Sequence, residues 1–327
     1  MGSEMTEIRK IDFSGLEMRK AGTEEWIKVR GEVMEALETQ GFFEAVYDNV
    51  SRETLEELFG PVLKELFALP LDVKMIMNHS DMPYEAYVPR RPGCNFESLK
   101  VHDASSDSSI SNFAALLWPP NGNTTFCEVA GKYVWEMKEL ETMVRRMVVE
   151  ALGVEKQWES FEKSVVYGLK MAEYDAPVNP ESVVTMPTHR DINIMNFIRQ
   201  QEGQGLEIQT RGRQMASRFP NSFNVIVGES LQAWSNGRVN APPHRVKMRN
   251  NNEKRHSIQF GSYFKDECII QAPGELVDQD HPQLYKPFNY ANYAKFLFSD
   301  GGWAENTDTL KAYCGLIEGE ENDGMKP

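Results

Sequence analysis

The chain predicts a mainly β fold with flanking helices, an antiparallel barrel or jelly roll preceded by a helical region. Three observations carry that expectation. From Ser164 onward, short segments rich in β-branched and aromatic residues recur between turn residues. Between Thr185 and Cys268 no helical periodicity interrupts them. Before Ser164 the apolar residues instead recur at spacings of three and four, as amphipathic helices require. A length of 327 residues is large for one domain, but a large barrel with helical decoration fills it, and 41% apolar residues suffice for its core. We therefore expect one integrated unit. Residues 1–163 form a mixed helical region packing on the barrel, and residues 164–327 form the jelly-roll core with a C-terminal helix.

Taken in order, helices are expected over Glu24–Glu38 and Arg52–Leu69, the second capped by the Ser51 hydroxyl. Between them Gly41–Tyr47 alternates like a strand. Residues 80–126 carry Pro83, Pro89, Pro92, Gly93, Pro119, Pro120 and the Asn121-Gly122 pair, with a serine-rich polar loop at Asp103–Ser111. Such breakers predict long loops. The aromatics among them (Tyr84, Tyr87, Phe96, Phe113, Trp118) fit a substrate entrance or solvent-shielding packing equally well. The longest helix is expected over Glu128–Leu152, with Val134, Met137, Leu140, Met143, Val144, Met147, Val148 and Ala151 facing a sheet and Gly153 ending it. Strands follow at Val165–Met171, Ser222–Gly228 and Ser257–Phe264, with a turn at Ser235-Asn236-Gly237. A last helix spans Tyr290–Phe298, and Glu318–Pro327 is a frayed tail.

The net charge of −14 argues against a nucleic-acid or anionic-membrane partner, both of which select basic surfaces. Four cysteines (Cys94, Cys127, Cys268, Cys314) show no C-x-x-C spacing, which removes support for a structural zinc site. The first residues lack an apolar leader core, and no run of about 18 apolar residues occurs. The expectation is a cytoplasmic monomer acting on a small molecule.

Five residues carry the chemistry. His189 and Asp191 stand two apart, so a strand would point both to one face, and His244 follows 55 positions after the first. Two imidazoles and one carboxylate bind one face of an octahedral ion and leave three positions open, the ligand set of non-haem Fe(II) sites. A His-x-Asp alone is common by chance. Arg255 and Ser257 repeat the two-residue spacing eleven positions after His244. A guanidinium facing into a barrel is costly unless an anion pairs with it, either a buried acid or a bound carboxylate. With three metal donors upstream, iron plus a dicarboxylate co-substrate is the better account. The remaining histidines fit less well. His79 and His102 have no partner pattern, His256 faces away from its neighbours' pocket, and His281 before Pro282 marks a surface loop.

These residues also carry a resemblance. Gly41–Phe43, Phe67–Pro70, Glu141–Val148 with Leu152–Glu155, His189–Asp191, Gly205–Thr210, Ser235–Arg238, His244–Val246, Arg255–Ser257 and Ala272–Asp278 occur in the order found in the plant soluble 2-oxoglutarate- and Fe(II)-dependent dioxygenases. The chain is most similar to their AOP-like branch. The resemblance implies a double-stranded β-helix with helices outside it and a catalytic iron on His189, Asp191 and His244. It places the distal 2-oxoglutarate carboxylate on Arg255 and Ser257, and gives Tyr174 a hydrogen bond to the co-substrate. It further implies that O2 and 2-oxoglutarate are consumed, that succinate and CO2 are released, and that ascorbate serves as reductant in assays. Hydroxylation of a C–H bond is the default outcome, with desaturation, dealkylation or ring formation open on the same scaffold. Arg190 between the ligands, Ala172 in place of asparagine and Gly228-Glu229 in place of Gly-Asp depart from the family pattern, and none removes a ligand.

Candidate substrate walls are Phe113, Leu117, Trp118, Phe197, Trp234, Phe260 and Tyr263, an apolar set suited to a hydrophobic plant metabolite or hormone, although each taken alone fits a core more readily than a pocket. Two other readings stay open. One is a catalytically silent barrel that binds a small molecule. The other is a cupin-like enzyme using the metal alone, which has no need of Arg255 and Ser257.

Overall fold

Alternation of apolar residues after Ser164 produces strands that change layers as they proceed. The computed structural model describes residues 8–78, 86–91, 95–176, 183–201, 205–210, 213–216, 222–248, 254–297 and 308–316. Its strands are β1 (Lys10–Asp12), β2 (Phe42–Val46), β3 (Tyr87–Val88), β4 (Phe96–Val101), β5 (Val165–Tyr174), β6 (Val183–His189), β7 (Met195–Gln200), β8 (Leu206–Thr210), β9 (Arg213–Ala216), β10 (Phe223–Val227), β11 (His244–Met248) and β12 (Arg255–Phe264). The largest sheet has the order β1-β2-β10-β7-β12-β5-β4-β3 and the second β6-β11-β8-β9, while β13 (Ile269–Ile270) and β14 (Phe288–Asn289) form a separate two-stranded sheet. Strands β5 to β12 thus divide between two sheets, the jelly-roll arrangement of a double-stranded β-helix. Two small apolar clusters hold the sheets face to face. Phe42, Ile198 and Ile226 of the large sheet meet Leu206 and Ile208 of the small one, and Phe96, Ala172 and Tyr174 meet Val246.

The outer face of the large sheet is covered by the helix Thr124–Ala151. Asn123 caps it by accepting the Phe126 N–H at 2.9 Å, and Gly153 ends it at φ +71°, where a side chain would be strained. The expected apolar stripe is buried from Val134 to Val148, whereas Ala151 is exposed. Within that interface Arg145 Nε donates to Glu141 at 3.0 Å and its Nη2 to the Tyr167 hydroxyl at 3.1 Å. Ser51 caps the second helical stretch as expected, accepting the Thr54 N–H at 3.1 Å. A π-helical turn over Leu58–Val62 accommodates Pro61, which has no N–H for the regular ladder.

Three expectations need correction. The stretch expected to be loop contains β4 and the helix Ser109–Leu117. The breakers from Pro119 to Gly122 end that helix and begin the next, rather than marking an extended loop. A six-residue helix, Glu229–Trp234, interrupts the segment expected to be helix-free. Its side chains are buried all round, so no amphipathic period announces it. Asp191 lies two residues beyond the end of β6, not within a strand beside His189. Tyr84, His79, Cys94, Phe298 and the Glu318–Pro327 tail lie outside the described residues. No helix among the described residues is long and apolar enough to cross a membrane.

Candidate metal centre and carboxylate pocket

His189 is the last residue of β6 and His244 the first of β11, and the two are direct cross-strand partners. The proline pair Pro242-Pro243 ends the preceding loop, so the strand begins at the histidine itself. Asp191 is set by the turn after β6, where its carbonyl accepts the Glu229 N–H at 2.7 Å. One donor atom from each of the three residues lies within 4.8 Å of the others. His189 Nε2 is 3.6 Å from Asp191 Oδ1, and His244 Nε2 is 3.5 Å from Oδ2.

The surroundings fix which nitrogens face inward. His189 Nδ1 sits 3.0 Å from the Pro187 carbonyl, and His244 Nδ1 sits 3.3 Å from the Pro242 carbonyl. A carbonyl only accepts, so each Nδ1 carries the proton and each Nε2 turns its lone pair toward Asp191. Asn196 Nδ2 donates to Asp191 Oδ2 at 2.7 Å and orients the carboxylate. Burial pushes His244 down to about 4, which keeps it neutral and able to ligate at physiological pH. Burial works against ionisation of Asp191 too, but attraction to His244 and His189 whenever either imidazole carries a second proton, together with the Asn196 amide, outweighs it and holds the carboxyl below its usual range. Two neutral imidazoles and one anionic oxygen converging on a point fit a divalent iron.

Arg255 and Ser257 project from the face of β12 whose partners on β5 are Tyr174 and Ala172. The guanidinium lies 5.0 Å above the Tyr174 ring, and its Nη2 donates to Gln200 Oε1. Its Nε and Nη1 are buried without a partner among the described residues, as is Ser257 Oγ. No carboxylate among the described residues forms an ion pair with it, so the buried-acid alternative does not account for this arginine. Desolvation pulls the Arg255 guanidinium below its ordinary value, a sign of a cation held without its counter-ion. Gly205 leaves it room, because a Cβ there would lie 2.8 Å from Nη1. Two N–H donors and a hydroxyl aimed into one pocket are what a carboxylate satisfies.

Residues 165–261 match the 2OG-Fe(II) oxygenase superfamily, and residues 8–106 match the non-haem dioxygenase in morphine synthesis N-terminal region. Over 301 residues the chain is 34% identical to a "Probable 2-oxoglutarate-dependent dioxygenase AOP1.2" of Arabidopsis thaliana, an alignment covering 89% of this chain and 91% of that one. The chain belongs to the 2-oxoglutarate- and Fe(II)-dependent dioxygenases. The structure of a dioxygenase for auxin oxidation from rice superposes with TM-score 0.77 at 28% identity, covering 95% of this chain and all of that one. A structure of JOX2 in complex with 2OG, Fe and JA shares the fold with TM-score 0.74 at 22% identity, covering 94% and 89%. As a member of this family the protein is an oxidoreductase using Fe(II), 2-oxoglutarate and O2, with His189, Asp191 and His244 as the metal site.

The seven aromatic and apolar wall candidates separate by face. Phe197 and Phe260 are cross-strand partners, and Phe260 stacks on Tyr167 at 5.3 Å beneath the long helix. Phe113 and Trp118 each lie 5.4 Å from the Phe126 ring. Leu117 is buried on the same helix as Phe113, and Trp234 contacts Phe161 at 4.4 Å. Five of these six are buried in the main apolar core, and Trp118 is half-buried against it. Tyr263 alone shares the inner face with Arg255 and Ser257, by strand alternation. Arg190 donates to the Ala241 carbonyl. The orienting role of Asn196 and the clearance at Gly205 were invisible to motif reading, because both depend on register between strands distant in sequence.

Proposed function

We propose that the protein oxidises, by hydroxylation, a C–H bond of a small, largely apolar plant specialised metabolite or hormone, coupled to conversion of 2-oxoglutarate to succinate and CO2. The observation that carries this reading is the juxtaposition of Arg255 Nε and Nη1 with Ser257 Oγ, buried without partners on the inner face of the same barrel as the three metal donors. In this reading Arg255 and Ser257 clamp the distal carboxylate, and Tyr174 supports the guanidinium from below. The carbonyls of Pro187 and Pro242 hold the imidazoles, and Asn196 holds Asp191. Bound iron supplies oxygen activation. The inner apolar clusters keep water from the site and suit an apolar substrate. That solved relatives include a dioxygenase for auxin oxidation and a complex with JA supports a small-molecule substrate.

Anaerobic titration of the protein with Fe(II) and 2-oxoglutarate should develop the visible charge-transfer band of the chelate. His189→Ala should lower both the band and retained iron to background. Incubation with iron, ascorbate, 2-oxoglutarate and a plant metabolite extract should yield succinate and products heavier by one oxygen; loss of two hydrogens would identify desaturation instead. No band in the wild-type protein, or undiminished iron in the variant, overturns the assignment.

A further inference from the structure

Strand β7 carries another arginine whose charge no described residue answers. Side chains along β7 alternate between the two faces of the large sheet. Ile198 packs with Leu206 and Ile208 of the small sheet, and Gln200 accepts from Arg255. Arg199 lies between them, so it projects to the other face, with the sheet standing between it and the carboxylate pocket. It is 9% exposed. Its Nη1 donates to the Ser222 carbonyl at 2.9 Å, and its Cζ lies 5.6 Å from the centroid of the Phe223 ring. No ion pair reaches it from any described residue. An arginine held that deeply is ordinarily paired.

Arg199 borders a cleft of about 650 Å³, within the range of small-molecule sites. Val46, Val50, Leu55, Phe59 and Phe223 give the cleft apolar walls. Two carboxylates, Asp48 and Glu56, also line it. Glu56 accepts from Arg52 Nε at 2.6 Å, and neither carboxylate pairs with Arg199. Because Nη1 is engaged by a backbone carbonyl, the edge bearing Nε and Nη2 is left open. Those two parallel N–H groups are the fork that meets a planar carboxylate bidentately. Desolvation pulls the Arg199 guanidinium below its ordinary value, as it does at Arg255, and an anion beside it would relieve that.

We propose that this cleft is a second ligand site, separate from the active centre, which takes a small apolar molecule through one carboxylate gripped by Arg199. The sheet separates the occupant from the metal donors, so it is bound without being oxidised. A single fork beside two acidic side chains suits a monoanion better than a phosphate. The Phe223 ring and the aliphatic walls receive the body of the molecule. The site stands on Arg199 and its cleft, whether or not the oxygenase reading holds.

The test uses the full chain under anaerobic conditions, loaded with Fe(II) and just enough 2-oxoglutarate to complete the visible band, so that the Arg255 pocket is filled. Phenylbutyrate, octanoate and 2-naphthoate are titrated by calorimetry beside their primary amides and phenyl phosphate. We expect at least one acid to bind the wild type about tenfold or more tightly than its amide. Arg199→Gln should abolish that preference and leave the band unchanged. Arg199→Lys keeps the charge without the fork and should retain only part of it. Leu55→Trp keeps the guanidinium but fills the cleft, and should weaken acid and amide alike, each variant being checked for a cooperative melt. Failure of every acid to bind, equal affinity of acids and amides, tighter binding of phenyl phosphate than of any acid, or a preference that survives Arg199→Gln overturns the proposal. If the band is absent from the wild type, the oxygenase reading falls, while the same titrations still decide the Arg199 site.

Discussion

Arg255, His256 and Ser257 are consecutive, yet they belong to two different environments. His256 points to the outer face, where Nε2 meets Glu173 at 3.0 Å, Nδ1 meets Gln201 at 3.0 Å, and the ring stacks on Phe67. Glu173 also accepts from Lys254 and Arg90, each at 2.6 Å. The charges there close on one another. Its two neighbours point inward, and there the guanidinium and hydroxyl keep donors that nothing in the described protein satisfies. A strand alternates its side chains by geometry alone, so one segment can build structure with even residues and a binding site with odd ones. Closed polar groups stabilise the fold. Open ones await a ligand.

The widest separation between the faces should come from two arginines. Arg255→Ala removes one partner of a buried charged pair formed with the co-substrate, which costs about 2–5 kcal/mol, or roughly thirtyfold to several thousandfold in 2-oxoglutarate affinity. In the ligand-free protein, Arg255→Met should leave the melting temperature unchanged or raise it, because it removes a desolvated charge that has no counter-ion. Arg145→Met on the other face should instead lose about 3–5 kcal/mol, because it strands the fully buried Glu141 carboxylate. Arg145 also leaves one amino group without a partner, but its charge is matched. If Arg255→Met destabilises the apo protein as much as Arg145→Met does, the inner arginine is structural and the comparison collapses.

A smaller effect sharpens the outer half. Burial opposes ionisation of Glu173, but His256, Lys254 and Arg90 outweigh it and hold the carboxyl at about 2, below its ordinary 4.5. As pH falls, the unfolded chain therefore takes up the proton before the native one does. Stability contributed by Glu173 is present above about 4.5 and drains as pH drops toward about 2. Urea midpoints measured across that window should fall less steeply in Glu173→Gln than in the wild type. Arg255→Met should leave the slope as it was. An identical slope in Glu173→Gln would remove the outer network from the account of acid stability.

How far the sequence reached follows the same division. Elements held by local pattern were legible: the Ser51 cap, the stripe from Val134 to Val148, and the strand β12 with Arg255 and Ser257 on one face. The triad was legible because metal chemistry restricts its ligands to a few residue types. Elements held by tertiary contact were not. In β4, Glu97 meets Lys74 and Tyr87, partners brought by the fold, and the surrounding proline and glycine breakers masked its alternation. Glu229–Trp234 is short and buried on every side, so neither period nor polarity marks it. Phe113, Leu117 and Trp118 stayed open as pocket walls because the segment read as loop; Phe113 and Leu117 are buried on a helix, and the rings of Phe113 and Trp118 lie against Phe126. Which face a residue occupies depends on register, and register between β4, β5 and β12 is not written in any one segment.

The finest probe of the inner face is Gly205→Ala. The added methyl would sit 2.8 Å from Arg255 Nη1 and 2.9 Å from Cζ, closer than real contacts allow, and 3.3 Å from Nε. No backbone atom is among those three neighbours, so the far end of the arginine can swing aside, and the fold should survive with its stability within about 1 kcal/mol of wild type. What changes is aim. A guanidinium displaced by a few tenths of an ångström presents its fork badly to a planar carboxylate, and bidentate geometry tolerates little error. The affinity for 2-oxoglutarate should drop about three- to tenfold, well short of the loss in Arg255→Ala, while iron retention, which depends on His189, Asp191 and His244, stays unchanged. Unaltered 2-oxoglutarate affinity would mean that the donors left open beside Gly205 are not what grips the co-substrate. A parallel fall in iron retention would mean instead that the carboxylate pocket and the metal centre are mechanically coupled rather than separate stations on one wall.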